Sequence, residues 1–189
     1  MRSVNKSLLY ISFFLYFSLL VWIVIFKCNL YIPVSESMII MPTKPFIERI
    51  SLSLPTIERI KHMMRDIDFW RNIIIFIPLG AYLPLISRRV RLLSGTLIAF
   101  LISLSFEISQ AFTCIGGFTL EDLFSNTVGF LLGYIIFKVL MNRLPGGIIN
   151  IINIAIIAIA TPIFLYATYN TAVNWEIYTL EYYHEYYHK

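Results

Sequence analysis

Residues 92–140 read LLSGTLIAFLISLSFEISQAFTCIGGFTLEDLFSNTVGFLLGYIIFKVL. Two apolar runs, Leu92 to Phe112 and Thr119 to Leu140, each match the roughly 20 residues that carry a helix across a bilayer core. Between them stand only the residues Thr113 to Phe118, with the pair Gly116 and Gly117, enough for a tight turn. Lipid offers the backbone no hydrogen-bond partner, so each run must satisfy itself as a helix. The stretch is therefore a membrane helical hairpin.

The same pattern recurs on both sides. Leu8 to Phe26, about Phe69 to Ile86, and Ile148 to about Tyr169 are further spans, which makes about five. Ser87-Arg88-Arg89-Val90-Arg91 breaks the second from the third, and Asn142 to Gly147, with Pro145, precedes the fifth. Of the 189 residues, 58% are hydrophobic and 14% charged, and mean hydropathy is +0.75, too little polar surface to cover a soluble globule. The expected fold is an all-α bundle of about five transmembrane helices with an interfacial amphipathic segment. One membrane domain over residues 1–189 leaves no room for a separate soluble domain.

The first run follows Arg2 and Lys6 and resembles a secretory signal, but it is long and lacks a small-x-small cleavage site before Lys27-Cys28, so it reads as an uncleaved anchor. The net charge of +4 comes from basic residues that flank apolar runs, the pattern of membrane anchoring and not of nucleic-acid binding. Cys28 and Cys114 show no metal-ligand spacing and allow at most one disulfide. With the N-terminus inside, Arg2, Lys6, Arg88, Arg89, Arg91, Lys138 and Arg143 are cytoplasmic; the other side carries Lys27, Lys44, Arg49, Arg59, Lys61, Arg65, Arg71 and Lys189. The first helix and the short loops dominate such near ties, which favours a cytoplasmic N-terminus and an outer C-terminus.

Between Cys28 and Asp68, Ile57, Ile60, Met63, Met64 and Ile67 recur at helical spacing with charges between them. This reads as an amphipathic helix lying on the membrane surface, or equally as a helix packed over the loop ends. The tail holds Trp175, Tyr178, Tyr182, Tyr183, Tyr186 and Tyr187, rings suited to the headgroup region. It also spells H-E-x-x-H at His184, Glu185 and His188, but only Lys189 follows and His62 is the other histidine, so no metal centre is expected. No cofactor is expected either.

Against this apolar background Glu107 and Gln110 lie inside the third span, and Asp122 and Asn126 inside the fourth. A carboxylate at the bilayer centre costs about 2.5 to 3.5 kcal/mol on insertion scales, so each side chain needs a partner, water or a shallow position. At 1.5 Å per residue Glu107 lies roughly 7 to 8 Å below its helix end, Asp122 roughly 4 to 5 Å and Asn126 roughly 10 Å below the start of theirs. The tight turn places all of them in one leaflet whichever side is outside, and parity adds Asn72, with Arg71 and Arg65 as the nearest cations. Ser103, Glu107 and Gln110 form one helical stripe; Asp122, Asn126, Gly129 and Gly133 form another, and the two glycines let a second helix approach closely.

Structural readings compete. Thr119-Leu120-Glu121-Asp122 fits a capping box with Thr119 at the cap and Asp122 three residues on. Gln110 and Asn126 also suit interhelical hydrogen bonding. Pro78, Pro84 and Pro162 suit kinks in the second and fifth spans.

Three motifs carry a resemblance. Asn72 to Gly80 resembles the N-x-x-x-F-x-P-x-G helix of the VanZ-like family, Ser103 to Gln110 its S-L-x-x-E-x-x-Q helix, and Asp122 to Gly129 its D-x-x-x-N-T-x-G helix. The three run in order over about Asn72 to Tyr134; the broader motif region is about residues 69–140. The chain departs from the pattern at Thr119, where the family commonly carries an Asp. The family takes its name from a protein associated with tolerance of teicoplanin, so the resemblance implies a bacterial envelope role.

The residues then suggest a site that recognises or modifies a lipid-linked or headgroup-bearing component. Glu107 and Asp122 are the candidate catalytic or charged groups, a pair able to act as general acid and base. Asn72, Gln110, Asn126 and Arg71 would orient substrate, and Gly129 and Gly133 would pack helices. Membrane lipid is the expected partner, with a lipid-linked envelope precursor, a second copy or another membrane protein left open. A proton-coupled transporter component and a non-catalytic accessory subunit remain alternatives of other classes.

Overall fold

The computed structural model describes residues 4–26, 50–51, 61–113 and 118–173. Cys28, Cys114, the aromatic tail with its histidines, and most of the expected amphipathic segment lie outside these residues. Of that segment, residues 61–63 are helical, with Met63 buried and Met64 and Ile67 exposed.

Five long helices dominate: α1 (Lys6–Phe26), α2 (Ile67–Ile86), α3 (Leu92–Thr113), α4 (Leu120–Val139) and α5 (Gly146–Val173). Each is long and apolar enough to cross a membrane. Their ends follow from side chains that serve orphan backbone groups. Asn5 accepts from the amides of Ser7 and Leu8 at the start of α1, and Asp66 accepts from that of Asp68, so α2 begins at Ile67, before the hydropathy rises. Ser94 Oγ reaches back to the Arg91 amide and starts α3. A short 3-10 turn, Met141–Arg143, links α4 to α5.

Pairs of residue types decide which helices touch. α2 and α4 meet most closely, because Gly80 on one faces Gly133 on the other, and Gly129 packs against the Ile73 carbonyl and Phe76. A Cβ added at Gly133 would lie 1.9 Å from the Ile77 carbonyl oxygen, and one at Gly80 would lie 2.1 Å from that of Phe130. Here backbone packs on backbone, which side chains of any size would prevent. α3 lies antiparallel to α4 as the short turn requires, and α1 packs along α5. Phe76, Leu79 and Phe130 fill the centre with Leu20, Val24, Ala99, Phe106 and Tyr134; Phe76 meets Phe106 edge to face at 6.3 Å.

α3 shows which solvent this arrangement suits. Its buried face carries Ser103, Glu107 and Gln110, whereas Leu93, Leu97, Leu101 and Ile108 point outward. In water that polarity would be inverted; in lipid the apolar face meets hydrocarbon and the polar groups find each other. Pro78 and Pro84 lie within α2 and Pro162 within α5, each helix continuing through them. Close to Pro78, where the ring interrupts the backbone ladder, the Tyr16 hydroxyl donates to the Ile75 carbonyl at 2.8 Å.

One extra feature ties the long α1–α2 connection to the hairpin. Strand β1 (Ile50–Ser51) runs parallel to β2 (Phe118–Thr119), with Ile50 opposite Phe118 and Ser51 opposite Thr119. The connection is thereby held at the α3–α4 turn, which is also the end of the bundle where the polar groups collect.

Candidate functional site

The site forms where α2 and α4 begin and α1 and α3 end. A cavity of about 50 Å³ opens there, lined by the acids Asp68, Glu107 and Asp122, by Arg71, and by the amides Asn72, Gln110 and Asn126. Ile23, Val24 and Ile75 complete the wall. One buried water needs roughly 10 to 15 Å³, so the space holds a few water-sized groups and no more. All five polar residues expected to converge from the second, third and fourth spans line this cavity. Arg71 joins them, while Arg65 is exposed and outside the lining.

Glu107 is 1% exposed, and its carboxylate Oε2 accepts a hydrogen bond from the Thr119 amide at 2.9 Å. That amide is one of the donors a helix start leaves without an intrahelical partner. An acidic group from α3 therefore serves the N-terminus of α4, where the helix dipole also favours negative charge. The arrangement completes half of the expected capping box: Thr119 Oγ1 accepts from the Asp122 amide at 3.1 Å, but the Asp122 side chain does not close the box onto Thr119, because Glu107 already holds that amide. Asp122 turns to α2 instead, where Asn72 Nδ2 donates to its Oδ1 at 2.7 Å.

Deeper in the bundle, Asn126 Nδ2 donates to Ser103 Oγ at 2.8 Å, joining α4 to α3. Its Oδ1 is buried and has no hydrogen-bond partner among the described residues. Gln110 Nε2 donates to the Val24 carbonyl and so brings α1 into the wall. At the rim Arg71 pairs with Asp68 at 2.9 Å, both side chains half exposed. Chemically the cavity offers mostly acceptors, gathered just inside the ends of apolar helices.

Sequence reasoning missed three contributors. Asp68 was not among the residues expected at the site, and the first span was not expected to reach it at all. The third omission is a separate polar contact toward the opposite membrane face, where Ser12 Oγ lies 2.8 Å and the Tyr82 hydroxyl 3.5 Å from Asn153 Oδ1. The signal was present: Asn153 is an amide within an apolar run, and asking what satisfies it would have led to Ser12. Among the described residues no group of three or more His, Cys, Asp or Glu side chains is arranged to hold a metal ion.

Comparison with known proteins places these residues. The VanZ/LLP1 family model matches residues 13–141, which contain α2, α3, α4 and most of α1. Protein VanZ of Enterococcus faecium is 32% identical over 119 residues, 63% of this chain and 66% of its own length, so the matched part spans slightly under two thirds of that relative. No solved structure matches. With the three polar helices lying inside the matched region, this multi-pass membrane protein belongs to the VanZ/LLP1 family.

Proposed function

We propose that the chain is a bacterial cell-envelope protein that recognises a lipid-linked or headgroup-bearing membrane component at one leaflet and thereby alters the access of teicoplanin-type glycopeptides to the surface. The observation that carries this reading is the placement of the acceptor-rich cavity. Its polar groups gather within about two turns of the helix ends at one end of the bundle, and not along its whole length, where a conducting path would run. Family membership supports the envelope role, and the relative from Enterococcus faecium supports the bacterial setting.

In this reading the N-terminus is cytoplasmic. The end of α1 and the starts of α2 and α4 then face the outer leaflet, where wall precursors and glycopeptides meet, while Arg88, Arg89, Arg91 and Arg143 remain inside. Glu107 and Asp122 supply the charge that selects the ligand; Asn72 and Asn126 fix its orientation.

Glu107→Gln tests the proposal. The amide keeps an oxygen that accepts from the Thr119 backbone, so membrane abundance should hold, while the formal charge is lost. Cells carrying the variant should match cells lacking the protein in envelope-lipid profile, precursor profile and teicoplanin susceptibility. A profile identical to that of the parent protein, at equal abundance, would contradict the proposal.

A further inference from the structure

The end of the bundle opposite the cavity has a charge pattern of its own. The start of α1, the α2–α3 link and the end of α4 with its following turn meet there. Six basic side chains stand at this end, Lys6, Arg88, Arg89, Arg91, Lys138 and Arg143, all exposed. The acids among the described residues, Asp66, Asp68, Glu107, Glu121 and Asp122, all lie in the other half. None of the six cations forms an ion pair among the described residues. Lys138 lies 5.7 Å from the centre of the Tyr134 ring, a contact that leaves its charge uncompensated. Basic loops orient a membrane protein during insertion, but nearby acids contribute little to that effect, so orientation alone would not require their absence.

Local structure fixes the height of these cations. The α2–α3 link folds as a turn in which the Val90 amide donates to the Ser87 carbonyl at 3.0 Å, with Arg88 and Arg89 at its corners. A five-residue link that runs out and back rises roughly 8 to 9 Å at most, about the thickness of the headgroup layer. Arg91 is followed at once by the exposed Leu92 and Leu93, and Lys138 by the exposed Val139 and Leu140. The cations thus stand level with side chains that need hydrocarbon beside them, where long basic side chains reach for lipid phosphates. Arg88, Arg89, Arg91 and Arg143 are guanidinium groups, which can give a phosphate two parallel hydrogen bonds. Basic clusters of this size at a membrane face attract anionic lipid.

We infer that this face binds anionic phospholipid headgroups, their phosphates taken by the arginine turn at residues 88–91 and by Lys138 and Arg143 at the end of α4. The surface is separate from the cavity and does not depend on the function proposed for it.

The test uses the purified full chain in a neutral detergent, where effects of charge on insertion do not enter, and measures dissociation constants for short-chain phosphatidylglycerol and phosphatidylcholine. At low salt the anionic lipid should bind at least about tenfold tighter, and the preference should fall as salt is raised. The variant with Arg88→Gln, Arg89→Gln and Arg91→Gln should shrink the ratio to below about threefold. A second variant, Lys138→Gln with Arg143→Gln, alters a different element and should also reduce the ratio, so the face is tested even where the first variant fails to fold. Lys61→Gln with Arg65→Gln, at the other end of the bundle, should leave it unchanged. Equal affinities of the parent protein for the two lipids would overturn the inference and leave the proposed function standing. A preference that survives in the variants of this face, or one lost equally in the Lys61 and Arg65 variant, would place the anionic lipid elsewhere and overturn it as well.

Discussion

Thr119 shows how one residue can serve two helices. Its hydroxyl caps α4 by accepting from the Asp122 amide, and its own amide binds Glu107. The VanZ-like pattern commonly has Asp here, and an Asp side chain caps at least as well as Thr, while the amide is available from any residue but proline. The departure therefore preserves the architecture and removes one carboxylate. Thr119→Asp should leave stability within about 0.5 kcal/mol, whereas Thr119→Val, which keeps the shape and loses the cap, should cost about 0.5 to 2 kcal/mol in denaturant titrations in detergent. The sequence made the cap and its spacing legible. That Glu107 would occupy the remaining amide was not, since residues 12 apart on different helices meet only once the turn is built.

Among the elements, the α2–α4 contact is the one most sensitive to size. Gly133→Ala would place a methyl group 1.9 Å from a backbone oxygen that no rotamer can move, so the helices must part. The expected cost is about 1 to 3 kcal/mol, the range for overpacking a well-filled interior. Gly147→Ala is the control: nothing lies within 4 Å of its added Cβ, and in α5 the change should be neutral or stabilising by up to about 1 kcal/mol. Thermal unfolding of the two variants in the same detergent checks both. Hydropathy and the spacing of Gly129 and Gly133 made the close approach legible. Its partner was not, because Gly80 belongs to a separate run, and which helix lies opposite is settled by the whole bundle. Helix ends shifted for a local reason: Asp66 and Pro145 begin helices before hydropathy rises, and α5 runs through Val173, past the apolar part of its sequence.

Across the molecule, the turn between α3 and α4 imposes a parity that brings the end of α3 and the starts of α2 and α4 to one membrane face. Costly groups that hydropathy alone would scatter through five spans then share one cavity. Parity was legible from loop length; the contribution of α1 was not, because the Val24 carbonyl that receives Gln110 is backbone and carries no mark in the sequence. The bridge between β1 and β2 was equally hidden, two residues being too short for a periodic pattern.

Sidedness tests this parity directly. In a background with Cys28 and Cys114 replaced by serine, single cysteines at Asp68, Glu121 and Asn142 would be exposed to a membrane-impermeant maleimide applied from either side. Asp68 and Glu121 should label from one side and Asn142 from the other. Labelling of Asp68 and Glu121 from opposite sides would separate the beginnings of α2 and α4, and the polar cavity between them could not exist.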